Sequence, residues 1–275
     1  MKTGIVGKLT ISVSVVIFAL IILKLNFIVK EDKKDQQLGR LVENHQQLSL
    51  IPNFAAMPVV SDKKKAFFDY LRPSIRLQNG IIKDERQFLK GSLQHLNNGL
   101  VLTEAEIYHI EEISAKYKYS PRSINMTTIQ TLLIRTDIIP ESMVLIQSAN
   151  ETGWGSSRFA KEGLNFFGQW CFKKGCGLVP QSRTAGMSHE VAVYQSVEDS
   201  VASYMNNLNT NAAYSHFRSI RAEMRAQNKE PSADKLIYGL VNYSERQEAY
   251  VDELLEMLRH NEQYLVGNNE KKPSV

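Results

Sequence analysis

The chain is expected to be mainly α, an α+β protein with a small β lobe, on three observations. Apolar residues recur at three- and four-residue intervals in successive segments, as in helices that bury one face. Only one short run, Val191 to Tyr194, is β-branched enough for a strand, after a possible hairpin around Gly186. With 275 residues and 43% hydrophobic content, the chain can build one substantial core or two modest ones.

The elements follow in order. Lys2 and Lys8 precede the apolar run Ile11 to Leu23, and Lys24 and Lys30 follow it. This is an export signal or a membrane anchor, and the lack of an A-x-A-like cleavage site favours an uncleaved anchor over residues 1–30. The expected consequence is attachment to the cytoplasmic membrane, with the rest of the chain outside the cytoplasm. Residues 31–61 are polar, mixed in charge and interrupted by Pro52 and Pro58, as a linker is. A helical extension over 62–100 opens with the stripe Phe67, Phe68 and Leu71, reaches Pro73 and continues through Ile75 and Leu77.

The main domain, 101–265, starts at a capping box, Thr103-Glu-Ala-Glu106, ahead of Ile107, Ile110, Ile113 and Tyr117 on one face. A second helix runs from about Thr128 to Thr136 through Ile129, Leu132 and Leu133. Pro140 then stands where the first turn of a helix carrying Met143 to Asn150 begins. Val197, Val201, Tyr204 and Leu208 mark a further helix, and Val251, Leu254, Leu255 and Leu258 another between Ala249 and Leu265. Residues 266–275 read as a flexible tail.

Net charge is only +4, with Lys and Arg scattered among carboxylates. That weak basicity suits an anionic polymer, and no nucleic acid partner is expected. His189-Glu-Val-Ala-Val193 lacks the second histidine of a zinc-protease helix, and there is no G-x-S-x-G elbow, phosphate-cradling loop or dinucleotide fingerprint. No cofactor and no metal are therefore expected, and carboxylate chemistry remains. Cys171 and Cys176 can close a small disulfide loop in an oxidising compartment. A zinc site drawing on His189, or two free thiols, are the alternatives.

Glu151 is the leading candidate for chemistry. It follows the nearly all-apolar segment from Met143 and precedes Gly153 and Gly155. Burial disfavours the charged form of a carboxyl, and a raised pKa is what a glycosidase general acid needs to protonate a departing sugar oxygen. The structural alternatives are a cap at a helix N-terminus near Gly153 or an ion pair with Arg158. Seven glycines between Gly153 and Gly186 are interleaved with Trp154, Phe159, Phe166, Phe167, Trp170 and Phe172. That composition suits a shaped groove floored by aromatic faces, with turn-rich packing as the plainer reading.

The stretch Gln147-Ser-Ala-Asn-Glu-Thr-Gly-Trp-Gly-Ser-Ser-Arg-Phe159, followed by Asn165-Phe-Phe-Gly168, resembles the glucosaminidase domains of glycoside hydrolase family 73. Tyr194-Gln-Ser-Val-Glu-Asp-Ser-Val-Ala-Ser-Tyr204 resembles the family's Tyr-x-Ser…Asp-Tyr segment, with Ser203 where aspartate is common. Tyr243-Ser-Glu-Arg-Gln-Glu-Ala-Tyr250 is similar to its Tyr-Ala-Thr-Asp-x-x-Tyr run, and the Phe67–Asn79 stretch and the cysteine pair look like features of one subgroup.

The resemblance implies a lysozyme-like helical domain with a β-hairpin walling the cleft, and hydrolysis of the β-1,4 bond after N-acetylglucosamine in the glycan strands of peptidoglycan. It implies Glu151 as general acid and Glu190, in the hairpin, as second catalytic group, with Glu162 and Glu198 as rivals. Tyr243 is implied to orient the substrate's acetamido group or the charge developing on the ring. Trp154, Asn165, Phe167, Gly168, Tyr194 and Tyr204 are implied at the substrate. A lytic transglycosylase or muramidase on the same fold, or a non-catalytic glycan-binding protein, are the competing classes.

Overall fold

The computed structural model describes residues 51–180, 188–244 and 246–265. The expected anchor over 1–30, most of the expected linker, the turn around Gly186 and the tail lie outside the described residues. Among the described residues, no helix is long and apolar enough to cross a membrane.

The fold is mainly helical with a small three-stranded sheet. A single helix, α1 (Val60–Asn97), covers the expected extension except for its last three residues and continues through Pro73. Proline lacks the N–H of one helical bond. Here burial of Phe67, Phe68, Leu71, Ile75, Ile82 and Leu89 along one stripe holds both sides of Pro73 in one helix, while Leu77 is exposed. Phe54, in the stretch read as linker, is completely buried, its ring 5.3 Å from that of Phe67 and 5.7 Å from that of Tyr70. Packed structure therefore begins ahead of Asp62.

Next, α2 (Glu104–Lys116) starts at the complete Thr103/Glu106 capping box and buries Ile110, Ile113 and Tyr117. Then α3 (Met126–Arg135) starts at Asn125, whose side chain accepts from the Thr128 amide, and buries Ile129 and Leu132. Residues Met143 to Ala149 of α4 (Glu141–Thr152) are all buried, so this helix is enclosed on every face. A short α5 (Arg158–Gly163) leads into the sheet.

The sheet comprises β1 (Trp170–Cys171), β2 (Gly177–Leu178) and β3 (Glu190–Ala192), in the order β1-β3-β2 with both pairings antiparallel. The expected hairpin is thus three strands, and the run read as Val191 to Tyr194 begins one residue earlier. It leaves the ladder at Tyr194, whose amide bonds to Gly163 O at 3.0 Å and ties the sheet to α5. Gly177 is required by contact: a β-carbon there would lie 2.0 Å from Val191 O.

The remaining helices are α6 (Val197–Thr210), capped by Ser196, then α7 (Ser215–Ala226), α8 (Ala233–Leu236), α9 (Glu248–His260) and α10 (Glu262–Leu265). Sequence periodicity did not single out α7, because its buried face carries Arg218 and Arg221 beside Phe217. Arg221 is 1% exposed and donates to the carbonyls of Ile134, Arg135, Asp137 and Ile138 and to Asn209 Oδ1. A cation at the end of α3 satisfies carbonyls that the helix leaves without partners. Asp137, 2% exposed, receives Arg225 through both oxygens at 2.9 Å.

Candidate active site

Glu151 occupies the last turn of α4. That helix stops because Gly153 turns left-handed (φ 54°) and Trp154 follows at φ 61°, its amide returning to Ala149 O at 2.9 Å. The half-buried Glu151 side chain has two differently occupied oxygens. Oε1 accepts from the Tyr250 hydroxyl at 2.8 Å. Oε2 faces Gly168, where a β-carbon would lie only 3.2 Å away. Burial lifts the Glu151 carboxyl above its ordinary range; the Tyr250 donor pulls the other way, and the charge of Glu253 pushes up again. The negative end of the α4 dipole also favours the neutral acid. Neither structural alternative for Glu151 is realised: Gly153 is a C-cap, and Arg158 reaches Glu162 at 3.5 Å and Val179 O at 2.8 Å.

Tyrosines gather around this carboxyl from distant parts of the chain. Tyr243 stacks on Tyr250 with centroids 5.7 Å apart and 7° between planes, and its hydroxyl donates to Phe167 O at 2.6 Å. Phe167 stacks on Tyr204 at 4.0 Å and 10°. Burial pushes the phenols of Tyr204, Tyr243 and Tyr250 well above their usual range, and the Glu151 charge adds to this. All three are therefore neutral donors at ordinary pH. Behind them Gln147, completely buried one helical turn before Glu151, accepts from the Tyr204 hydroxyl and donates through Nε2 to Tyr250 Oη at 3.0 Å.

The expected residues divide into groups. Glu151, Gly168, Phe167, Tyr204 and Tyr243 come together, although Phe167 and Tyr204 are buried and form the wall behind the carboxyl. Asn165 is 1% exposed and wholly engaged: Nδ2 donates to Gln169 O and Ala192 O, while Oδ1 accepts from the amides of Phe167 and Gln169. Its place is in shaping the turn that presents Gly168. Tyr194 donates to Gln169 Oε1 at 2.7 Å and stands 3.0 Å from Ser203 Oγ, so the serine found where aspartate is common keeps a polar contact. Trp154 packs on Phe67 and Phe68, carries Lys64 Nζ 5.0 Å from its ring centroid, and helps line a cavity of about 430 Å³ with Lys64, Gly153, Glu253, Glu256 and His260.

Glu190 is buried in the central strand, beneath the Cys171–Cys176 disulfide. Its Oε1 accepts from the Gly175 amide at 3.0 Å and its Oε2 from the Gly177 amide at 2.8 Å. Both cysteine sulfurs are bonded to each other, whereas a zinc site would take them as thiolates. Of the rivals, Glu162 pairs with Arg158 on the surface and Glu198 lies in the first turn of α6.

Tyr250, Gln147 and Glu253 are the members of the site not singled out from sequence. The first two lie inside the family-like motifs, Gln147 opening one and Tyr250 closing another, but nothing local distinguishes them from their neighbours.

A family profile described as Glucosaminidase, mannosyl-glycoprotein endo-beta-N-acetylglucosaminidase, matches residues 126–263. The chain is 35% identical over 227 residues to Protein bax of Escherichia coli (strain K12), covering 82% of this chain and 79% of that protein. No solved structure shows a significant match to the chain.

Proposed function

Because the chain belongs to the glucosaminidase family of glycoside hydrolases, we propose that it is an endo-β-N-acetylglucosaminidase that cuts the β-1,4 bond after N-acetylglucosamine in peptidoglycan, with Glu151 as general acid. The observation that carries this reading is the environment of Glu151. Its carboxyl is held toward the neutral form by burial, with one oxygen engaged by Tyr250 and the other beside a residue without a side chain. A protonated carboxyl in that setting can deliver its proton to a leaving sugar oxygen.

For the opposite face of the sugar, two routes follow from the chemistry: Glu190 activates a water, or the substrate's acetamido group attacks. The second is favoured here, since each Glu190 oxygen already accepts a backbone N–H and the carboxylate holds the disulfide loop in shape. Tyr243, between Tyr250 and the Phe167 carbonyl, orients the acetamido group or the developing ring charge. The apolar run Ile11 to Leu23 supports an anchor, and the disulfide supports action outside the cytoplasm, where such bonds persist.

Mass spectrometry of peptidoglycan digested by the purified protein tests this. Reducing N-acetylglucosamine ends are expected. Anhydro-muramic ends would place the protein among lytic transglycosylases, and binding to sacculi without released ends would make it a non-catalytic glycan binder.

A further inference from the structure

We propose that the buried chain Tyr204–Gln147–Tyr250 directs the transferable proton of Glu151 onto Oε2, making Gln147 and Tyr204 positioning residues of an acid that Tyr204 does not touch. The inference rests on Glu151 being the general acid. It follows from the polarity of one amide. A glutamine side chain accepts only at Oε1 and donates only at Nε2. Gln147 is 0% exposed, out of reach of bulk solvent. Tyr204 donates to its Oε1, which leaves Nε2 for Tyr250 at 3.0 Å. The Tyr250 oxygen is thereby an acceptor on one side, and its single proton goes to Glu151 Oε1 at 2.8 Å.

A proton on Oε1 would then face the Tyr250 proton, so the acid proton is confined to Oε2. That oxygen lies against Gly168, the position where no side chain intervenes. The same polarity serves the next state. Once the proton has gone to the sugar, the carboxylate still receives the Tyr250 donor, and nothing in the chain has to rotate. Reversing the amide would turn the Tyr250 proton toward Gln147 and strip the ionised Glu151 of that donor. Tyr243 does not compete, since its own hydroxyl is committed to Phe167 O at 2.6 Å.

The titratable groups facing Glu151 come from several elements. Tyr250 and Glu253 lie on α9, Tyr243 in the segment before it, Tyr204 on α6 and Tyr214 ahead of α7. Lys64, Glu256 and His260 stand around the adjoining cavity. Among these, Tyr250 is the donor to the carboxylate, and a donor to the charged form lowers a carboxyl pKa.

The test is the pH dependence of kcat/KM on peptidoglycan for Tyr250→Phe and Tyr204→Phe, each losing one hydroxyl. Removing the donor raises the Glu151 pKa, so the alkaline limb moves up, by about one pH unit for Tyr250→Phe, with activity down roughly 10- to 100-fold. Tyr204→Phe, which touches Glu151 nowhere, moves the same limb in the same direction by less. If either fails to fold by circular dichroism, Gln147→Met replaces it: it adds no charge and removes the amide that donates to Tyr250, so the Tyr250 proton is no longer directed to Glu151 and the limb again moves up. An unchanged limb in folded variants overturns the proposal. Glu151→Gln is run beside them. Wild-type turnover in that variant would overturn both the acid assignment and the relay, whereas a dead Glu151→Gln with unmoved limbs elsewhere overturns the relay alone.

Discussion

Gly168 and Glu151 meet so closely that a β-carbon on Gly168 would stand 3.2 Å from Oε2 of the carboxyl, while Gly168 itself sits at φ 61°. Both facts bear on one substitution. Gly168→Ala loses about 1–2 kcal/mol from the left-handed backbone, and its methyl group also crowds the oxygen assigned to proton delivery. Activity is expected to fall by roughly 10- to 100-fold, more than the lost stability explains, since small misplacements at a reacting group are costly. Gly99→Ala is the control: its φ is 74° and nothing lies within 4 Å of the added carbon. Thermal melts of both should drop similarly, with hydrolysis spared in Gly99→Ala.

The raised pKa of Glu151 sets a pH dependence. A general acid must be protonated, so activity falls as pH rises through the Glu151 pKa, which burial holds above the ordinary carboxylate value. Glu253 contributes a like charge. Glu253→Gln removes it, the Glu151 pKa falls, and the alkaline limb moves to lower pH. Because the Glu253 side chain is 37% exposed, solvent screens the effect and the move is expected to be about half a unit or less. A limb that moved upward in this variant would contradict the electrostatic account.

Reducing the Cys171–Cys176 bond should loosen the β lobe. The bridge joins residues five apart, a loop for which chain entropy supplies about 2 kcal/mol. The strands it links are two or three residues long and have few ladder bonds of their own. Hydrogen exchange at the Gly175 and Gly177 amides, which now donate to Glu190, is expected to speed up in the Cys171→Ser/Cys176→Ser variant, with the helices unaffected. Equal protection in both forms would show that Glu190 suffices to hold the loop.

Acid stability should depend on Asp137. Burial alone would push its carboxyl up, but Arg225, Arg221 and Arg86 outweigh that and hold it below the usual value. A carboxyl whose folded pKa is depressed contributes stability that is full above its unfolded value, near 3.9, and is lost as pH falls through the folded value. Urea melts from about pH 5 downward should therefore show declining stability. Asp137→Asn should flatten that decline while costing about 3–5 kcal/mol near neutrality, because it leaves buried guanidinium groups without their counter-charge.

What could be read in advance was local. The capping box at Thr103 is visible because its partners are three residues apart, and both of its bonds form. The stripe Val197, Val201, Tyr204 and Leu208 is visible because one helix face repeats every three or four residues, and all four are buried. Glu151 stood out for the same reason, as a carboxyl ending an apolar helix. Trp154, Gly168 and Tyr243 stand in the family-like motifs. A motif does not tell a wall residue from an exposed one, and Asn165, Phe167 and Tyr204, in the same motifs, are buried. The long α1 matches the extension expected over 62–100 almost end to end, and packing along its buried stripe is what carries it through Pro73. Helix α7 was missed because a buried arginine looks like a surface one until its five acceptors are assembled around it.

By itself, the sequence determined the helical class, the Thr103 cap, the closely spaced cysteines and the carboxyl that carries the proposed chemistry, since these depend on interactions spanning a few residues. The tertiary structure decided which tyrosine reaches that carboxyl. Tyr250 and Glu151 are 99 residues apart, and their hydrogen bond exists only because α9 packs against α4. It also turned Glu190 toward two backbone amides in its own lobe, through strand pairing that fixes which face of β3 each side chain occupies. Both choices depend on packing between distant segments, and a local pattern contains no information about which distant group will arrive.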